Sequence, residues 1–158
     1  MDITFKTPLG RFNYRVCAVI VDAGRILAMQ DDHSPYYYLP GGRVALHETA
    51  EDAVMREVRE ELEIEAAIIR PLWLAQSFFE EDASHERFHE LCLYYLVDVG
   101  GKLAAHGDCF TLHEDGRKRH EFRWLTFAQA REAYLYPNFI KPRLGALPEA
   151  LEIVTEIE

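Results

Sequence analysis

Apolar positions fall into short runs separated by turn residues, and the period within each run decides its element. Tyr14 to Asp22 is mostly apolar, Ala23-Gly24 marks a turn and Ile26 to Met29 is apolar again, which predicts two strands joined as a hairpin. Tyr36 to Leu39 reads as a short extended piece that delivers Pro40, Gly41 and Gly42. Ala50 to Leu62 lacks Gly and Pro, Thr49 and Asp52 have capping-box spacing, and Val54, Met55, Val58 and Leu62 make one helical stripe. A helix is predicted there.

Downstream, Ala66 to Phe79 predicts one long strand, or two broken near Pro71, and Phe88 to Val99 predicts a nearly continuous apolar strand suited to a sheet centre. The two should pair antiparallel. Residues 102–120 show little periodicity and read as a loop with at most one short strand, followed by a strand at Phe122 to Leu125. Thr126 reads as the cap of a helix through Tyr134, and Pro148 as the first turn of a last helix, Glu149 to Ile157, with Leu151 and Val154 inward. No linker or repeat interrupts the chain, so residues 1–158 are expected to form a single α/β domain of mixed strands between helices.

The candidate chemistry lies on the first helix. Glu57, Glu60 and Glu61 fall at i, i+3 and i+4, so three carboxylates share one side of a helical turn. Two unit charges about 4 Å apart repel by roughly 1 kcal/mol in bulk water and roughly 4 kcal/mol at an effective dielectric near 20. A cation is expected among them, and hard oxygen donors without an all-protein cage favour Mg²⁺ or Mn²⁺. Arg56, on the flank of the acid arc, is placed to pair with Glu48 and orient the incoming loop. A stretch such as Arg-Glu-Val-Arg-Glu-Glu-Leu, taken alone, also describes an ordinary solvated helix face.

The flanking residues separate those readings. From Gly42 the chain runs five residues to Glu48 and seven more to Arg56-Glu57-Val58-Arg59-Glu60-Glu61-Leu62-Glu63-Ile64. This resembles the Nudix box, whose pattern is glycine, five residues, glutamate, seven residues, then Arg-Glu-apolar-any-Glu-Glu-any-Gly-apolar. One position departs: Glu63 stands where the family has its second glycine, at a place where the chain often turns with positive φ.

The resemblance implies a Nudix-like α/β/α sandwich with a mixed β-sheet. It also implies hydrolysis of a nucleoside diphosphate linked to another group, by water attacking phosphorus with divalent cations. Glu57, Glu60 and Glu61 match the family's metal-ligand positions, and Gly41 a position whose carbonyl often joins them. Glu57 is then also the in-box candidate to polarise water. Some members use an acid from a later loop instead, for which Glu121 is preferred here over Glu114, Asp115 and Glu90. Residues that mark substrates downstream of the box, a proline in ADP-ribose members or a tyrosine in dinucleoside-polyphosphate members, have no counterpart in Ser77-Phe78-Phe79-Glu80. Either phenylalanine could stack on a base or serve only packing. A silent Nudix domain that binds a nucleotide-like effector is the alternative reading.

Charge and composition narrow the partners. The net charge of −10 argues against a nucleic-acid surface, since counterion release needs clustered Lys and Arg, and the only basic cluster is Arg117-Lys118-Arg119. A small phosphorylated substrate remains. The apolar runs are too short to span a bilayer and the first residues lack the apolar segment of a signal peptide, so a cytoplasmic protein without membrane contact is expected. Three cysteines give no zinc spacing and no disulfide framework, no histidine has ligand spacing, and a homodimer is compatible with the sequence.

Overall fold

The computed structural model describes residues 1–158. Its elements are β1 (Thr4–Thr7), β2 (Gly10–Val19), β3 (Val21–Asp22), β4 (Arg25–Asp31), β5 (Gly41–Arg43), α1 (Ala50–Leu62), β6 (Ala67–Glu80), β7 (Arg87–Asp98), β8 (Cys109–Glu114), β9 (Lys118–Thr126), α2 (Phe127–Glu132) and β10 (Glu152–Ile157). A mixed sheet has the order β1-β2-β7-β6-β10, with β5 added to β2. In it β2 runs parallel to β7 and β10 parallel to β6. A second sheet, β3-β4-β9-β8, is antiparallel throughout.

The strands are apolar on both faces because both faces are covered. Val16 and Ala18 of β2, Tyr95 and Val97 of β7, and Phe122 and Trp124 of β9 pack with Val54, Val58 and Leu62 of α1. The alternate residues of the same strands, among them Cys17, Val19, Tyr94 and Leu125, join Ala130 of α2 and Phe139 and Ile140 of a 3₁₀ turn at Asn138–Arg143 in a second cluster. Period-two alternation thus feeds two cores, one on each side of a central β layer. The result is the α/β/α sandwich that the sequence implies.

The helix that carries the acids begins where its cap predicts: the Thr49 side chain accepts from the Asp52 N–H at 3.1 Å. The long β6 keeps its course past Pro71 with register irregularities between Ile68 and Arg70 and between Pro71 and Trp73, and β7 occupies the sheet centre between β2 and β6. Four expectations are corrected. The partner of β4 in the hairpin is the short β3, since the chain leaves the first sheet after Val19 and β2 pairs with β7 instead. Within residues 102–120 the short strand is β8, and the strand expected from Phe122 already begins at Lys118, so the two form a β-hairpin in place of a loop before Phe122. Helix α2 ends at Glu132, short of Tyr134. The last element is a strand: Glu152–Ile157 lies parallel to β6, and the β-branched residues Ile153, Val154, Thr155 and Ile157 suit the pleat better than a helix.

Glu63 sits at the end of α1 in the left-handed region, φ 58° and ψ 32°, with its N–H donated to the Arg59 carbonyl. A side chain with a Cβ is strained there by about 1 kcal/mol relative to glycine. Glu63→Gly is therefore expected to raise the stability of the protein by up to about 1 kcal/mol in chemical denaturation, with turnover unchanged. A loss of stability would show that the Glu63 side chain contributes more than its backbone strain removes.

Candidate active site

Two glycines bring a strand edge against an acidic helix. Gly42 pairs with Val16 and Gly41 with Cys17 across β5 and β2. A Cβ at Gly42 would run into the Glu57 carboxylate, and one at Gly41 into the Val16 carbonyl. Only glycine lets the strand lie this close to both its neighbours. The Gly41 N–H donates to Glu61 Oε1 at 2.9 Å, so the backbone of the loop is joined directly to the third acid of the cluster.

Arg56 holds the loop on the other side. Its Nε and Nη2 donate to the two oxygens of Glu48 at 2.7 and 2.9 Å, a bidentate pair, and Nη2 also reaches the Arg43 carbonyl at 3.1 Å. Glu48 in turn accepts from the Ala45 N–H at 3.0 Å. The guanidinium beside it holds the Glu48 carboxyl below its usual range. Arg56 Nη1 also donates to Glu57 at 2.9 Å and to Glu60 at 3.4 Å, so one cation touches three of the acids.

Glu61 is the acid it does not touch. Glu61 is 5% exposed and makes no ion pair. Burial, then the charges of Glu57 and Glu114, push its carboxyl well above the usual range despite the Gly41 N–H. Burial also raises Glu57, and Glu60 and Glu114 add to the rise, while Arg56 opposes it. No three acid, histidine or cysteine side chains converge into a ready coordination shell, because Arg56 draws Glu57 and Glu60 to itself while Gly41 holds Glu61. The donor chemistry still fits a hard divalent cation: carboxylate oxygens, like charges that repel one another, and a buried anion without a cationic side chain.

Of the four acids considered outside the helix, the structure brings Glu114 to the cluster and leaves the preferred one, Glu121, away from it. Glu121 is exposed, pairs with Arg119 at 2.7 Å and lies on the opposite side of β9 from Phe122 and Trp124, which pack under α1. Glu114, at the end of β8, follows Phe110 and Leu112 on the side that packs toward α1, and its charge acts on Glu57 and Glu61. It is half-buried and contacts His120 Nε2 at 3.1 Å. Asp115 lies in the β8–β9 turn and Glu90 on β7 beside Asn13. His120, the buried partner of Glu114, has no signature in ligand spacing because the contact depends on the register of a hairpin. Phe78 and Phe79 sit toward the far end of β6, tilted on His89 at 4.5 Å and stacked on Phe88 at 5.0 Å.

The chain belongs to the NUDIX family: the NUDIX domain model matches residues 11–143. Among individual proteins, an ADP-ribose pyrophosphatase of Methanocaldococcus jannaschii is 30% identical over 97 residues, 59% of this chain and 55% of that protein, so the match spans about half the relative's length. Among solved structures, the MutT protein of Bacillus halodurans shares the fold with a TM-score of 0.63 at 14% identity, over 90% of this chain and 88% of that one. The MutT protein of Methanosarcina mazei Go1 does so with a TM-score of 0.57 at 20% identity, over 85% of this chain and 93% of that one. No helix is long and apolar enough to cross a membrane.

The raised carboxyls of Glu57 and Glu61 set a pH signature. A folded-state carboxyl above its unfolded value of 4.5 takes up a proton on folding, so its contribution is fully present below that value and is lost as pH rises toward the folded value. In chelator, wild type should therefore melt progressively lower, relative to Glu61→Gln, as pH is raised from about 4.5 to neutrality. The glutamine can still accept from Gly41. Parallel melting curves for the two proteins across that range would show that Glu61 is not a strained anion.

Proposed function

We propose that this chain hydrolyses a phosphoanhydride bond in a nucleoside diphosphate linked to another group, by attack of water on phosphorus. The observation that carries the reading is Glu61, a buried carboxylate with no cationic partner, set beside Glu57 and facing Glu114. Glu57, Glu60, Glu61 and the Gly41 carbonyl are the groups that would hold Mg²⁺, or Mn²⁺ in its place. Bound there, the cation would offset charge on the non-bridging phosphate oxygens and make water a better nucleophile.

The chain's own residues supply the rest. Arg56 and Glu48 orient the loop and the helix against each other and do not touch the reacting atoms. Glu114, steadied by His120, stands opposite Glu57, and one of the two carboxylates takes the proton of the attacking water. The placement of Glu114 favours it over Glu121 for any acid supplied from outside the helix. All 158 residues act as one catalytic domain on a small phosphorylated substrate, in the cytoplasm. ADP-ribose is the first compound to test, since a relative bears that activity in its name, followed by other nucleoside diphosphate and triphosphate derivatives.

Turnover of such a panel, read by product release, should disappear in EDTA and return with Mg²⁺ or Mn²⁺, with Zn²⁺ a poor substitute. Solvent ¹⁸O should appear on a phosphate oxygen. Label confined to a carbon-bound oxygen, or full activity in chelator, would overturn the mechanism. Nucleotide binding without turnover in the presence of metal would favour a silent effector-binding domain instead.

Separate substitutions divide the roles. Glu57→Gln is expected to lose about 10² or more in kcat, because it removes a ligand and a candidate proton acceptor. Glu114→Gln should lose on the order of 10² to 10⁴ if it is the general base, while Glu121→Gln should stay near wild type. The reverse order for Glu114 and Glu121 would restore the acid on β9 to the site.

A further inference from the structure

Helix α1 covers one end of the mixed sheet and leaves the other end of the same face bare. Val16, Ala18, Tyr95 and Val97 lie beneath the helix, and Tyr14 and Leu93 pack against the same core. Further along that face, side chains of one parity meet across every strand: Phe5 stands opposite Phe12, Phe12 opposite His89, His89 opposite Phe78 and Phe78 opposite Ile157. The row crosses the whole sheet from β1 to β10. Between it and the helix lie Leu91 of β7 and Leu74 of β6, with Ile153 of β10 beside Leu74. None of the apolar residues among these belongs to either core or packs against one. Phe5, Phe78, Ile153 and Ile157 remain 56, 37, 70 and 78% exposed. The reverse side of the same strands is closed by the second core, through Cys92, Ala75 and Val154.

The dimensions of the face suit a protein surface better than a small molecule. The depression along the row holds about 640 Å³, but Phe5 and Ile157 at its two ends are four strand spacings apart, roughly 19 Å. A small ligand cannot touch both walls. Five strands by three rows make a face on the order of 500 Å² in plan, and a contiguous apolar patch of that kind marks an interaction site where scattered residues do not. Side chains standing off a sheet expose more surface than the plan beneath them, which brings the face within reach of the roughly 800 Å² per partner that a standard interface buries.

Charge selects the occupant. The chain carries a net charge of −10, yet these rows contain no Asp, Glu, Lys or Arg. The first charged residues at the open end are Glu80 and Arg87, opposite each other in register and of opposite sign. Exposed charges act over a screening length of about 8 Å at physiological salt, so copies of an acidic chain repel wherever their acids are brought together. A face that is to meet itself about a two-fold axis must be complementary to itself, and an apolar face without net charge meets that condition where an acidic one does not. We propose that the open end of the mixed sheet, from Phe5 across to Ile157, binds a second copy of this chain. The inference does not depend on the hydrolase reading, and its failure would leave that reading untouched.

Wild type at about 10 μM should sediment as a dimer, and raising NaCl from about 0.05 to about 0.5 M should hold or tighten it, because screening removes the repulsion between the outlying acids. Ile153→Glu and Ile157→Glu each place a carboxylate in the face of both copies, and each should raise the dimer Kd by at least about tenfold while the chain stays folded by circular dichroism. Tyr134→Glu, at an exposed position just past α2, should leave the Kd as in wild type. Should either glutamate unfold the chain, the paired change Ile153→Ser with Ile157→Ser decides in the same way. A wild type that is monomeric at about 100 μM, an assembly larger than two or a dimer that salt dissolves overturns the proposal. So does a Kd unchanged within about twofold in the folded face variants.

Discussion

A carboxylate buried without a cation is the constraint on which the rest of this structure turns. Glu61 is held where it is by one backbone N–H and repelled by two neighbouring acids. Such an arrangement persists only if the surrounding elements fix it from several directions. Glycine at 42 removes a Cβ that would push β5 off the helix and glycine at 41 one that would push it off β2, Arg56 ties the incoming loop to the acid face through Glu48, and the apolar stripe of α1 anchors the helix to the sheet. Each device is local, yet none would produce the site without the other two.

The central β layer places the site by alternation. Cys17 and Gly41 face one core, while Val16 and Gly42 face α1 on the other, so a strand of three residues presents its backbone between two covered faces. One residue of slip in β5 would exchange Gly41 for Gly42 and turn Arg43 from the strand face it shares with Arg15. The pairing of β2 with β7 matters for the same reason, because it carries Glu90 and Asn13 to adjacent positions although 77 residues separate them.

That dependence explains how far the sequence could be read. Helix α1 was legible because its cap, its period and its acids lie within one contiguous stretch and need no partner to be recognised. The pairing of β6 with β7 was legible for a similar reason, two long apolar runs joined by a short polar connection. The last element was misread because Pro148 suggested a helix start, although the β-branched run that follows already favoured a strand that β6 could pair. Glu121 was misplaced for a subtler reason. A strand reverses the side of each successive residue, and which side of β9 faces α1 depends on the β8–β9 register, which is set by a polar turn with no apolar pattern of its own. His120, next in sequence to Glu121, points inward and steadies Glu114. The acid that lies nearer the cluster, Glu114, is one strand and one reversal away.

Strand register also lets so strained an arrangement be kept. An acid cluster that repels itself lowers the stability of the free protein, while a cation that binds only the folded arrangement raises it by mass action. The fold must therefore hold without that help, and the two cores on either face of the β layer supply the margin, with large side chains such as Trp73, Phe122 and Leu62 fully buried. They fix α1, which carries Glu57 and Glu61, against the β layer, in which β8 carries Glu114. Stability and chemistry are thus divided by strand parity: inward positions hold the layer, and the few backbone positions left without side chains, Gly41 and Gly42, bring it close enough to the helix for the acids to act together.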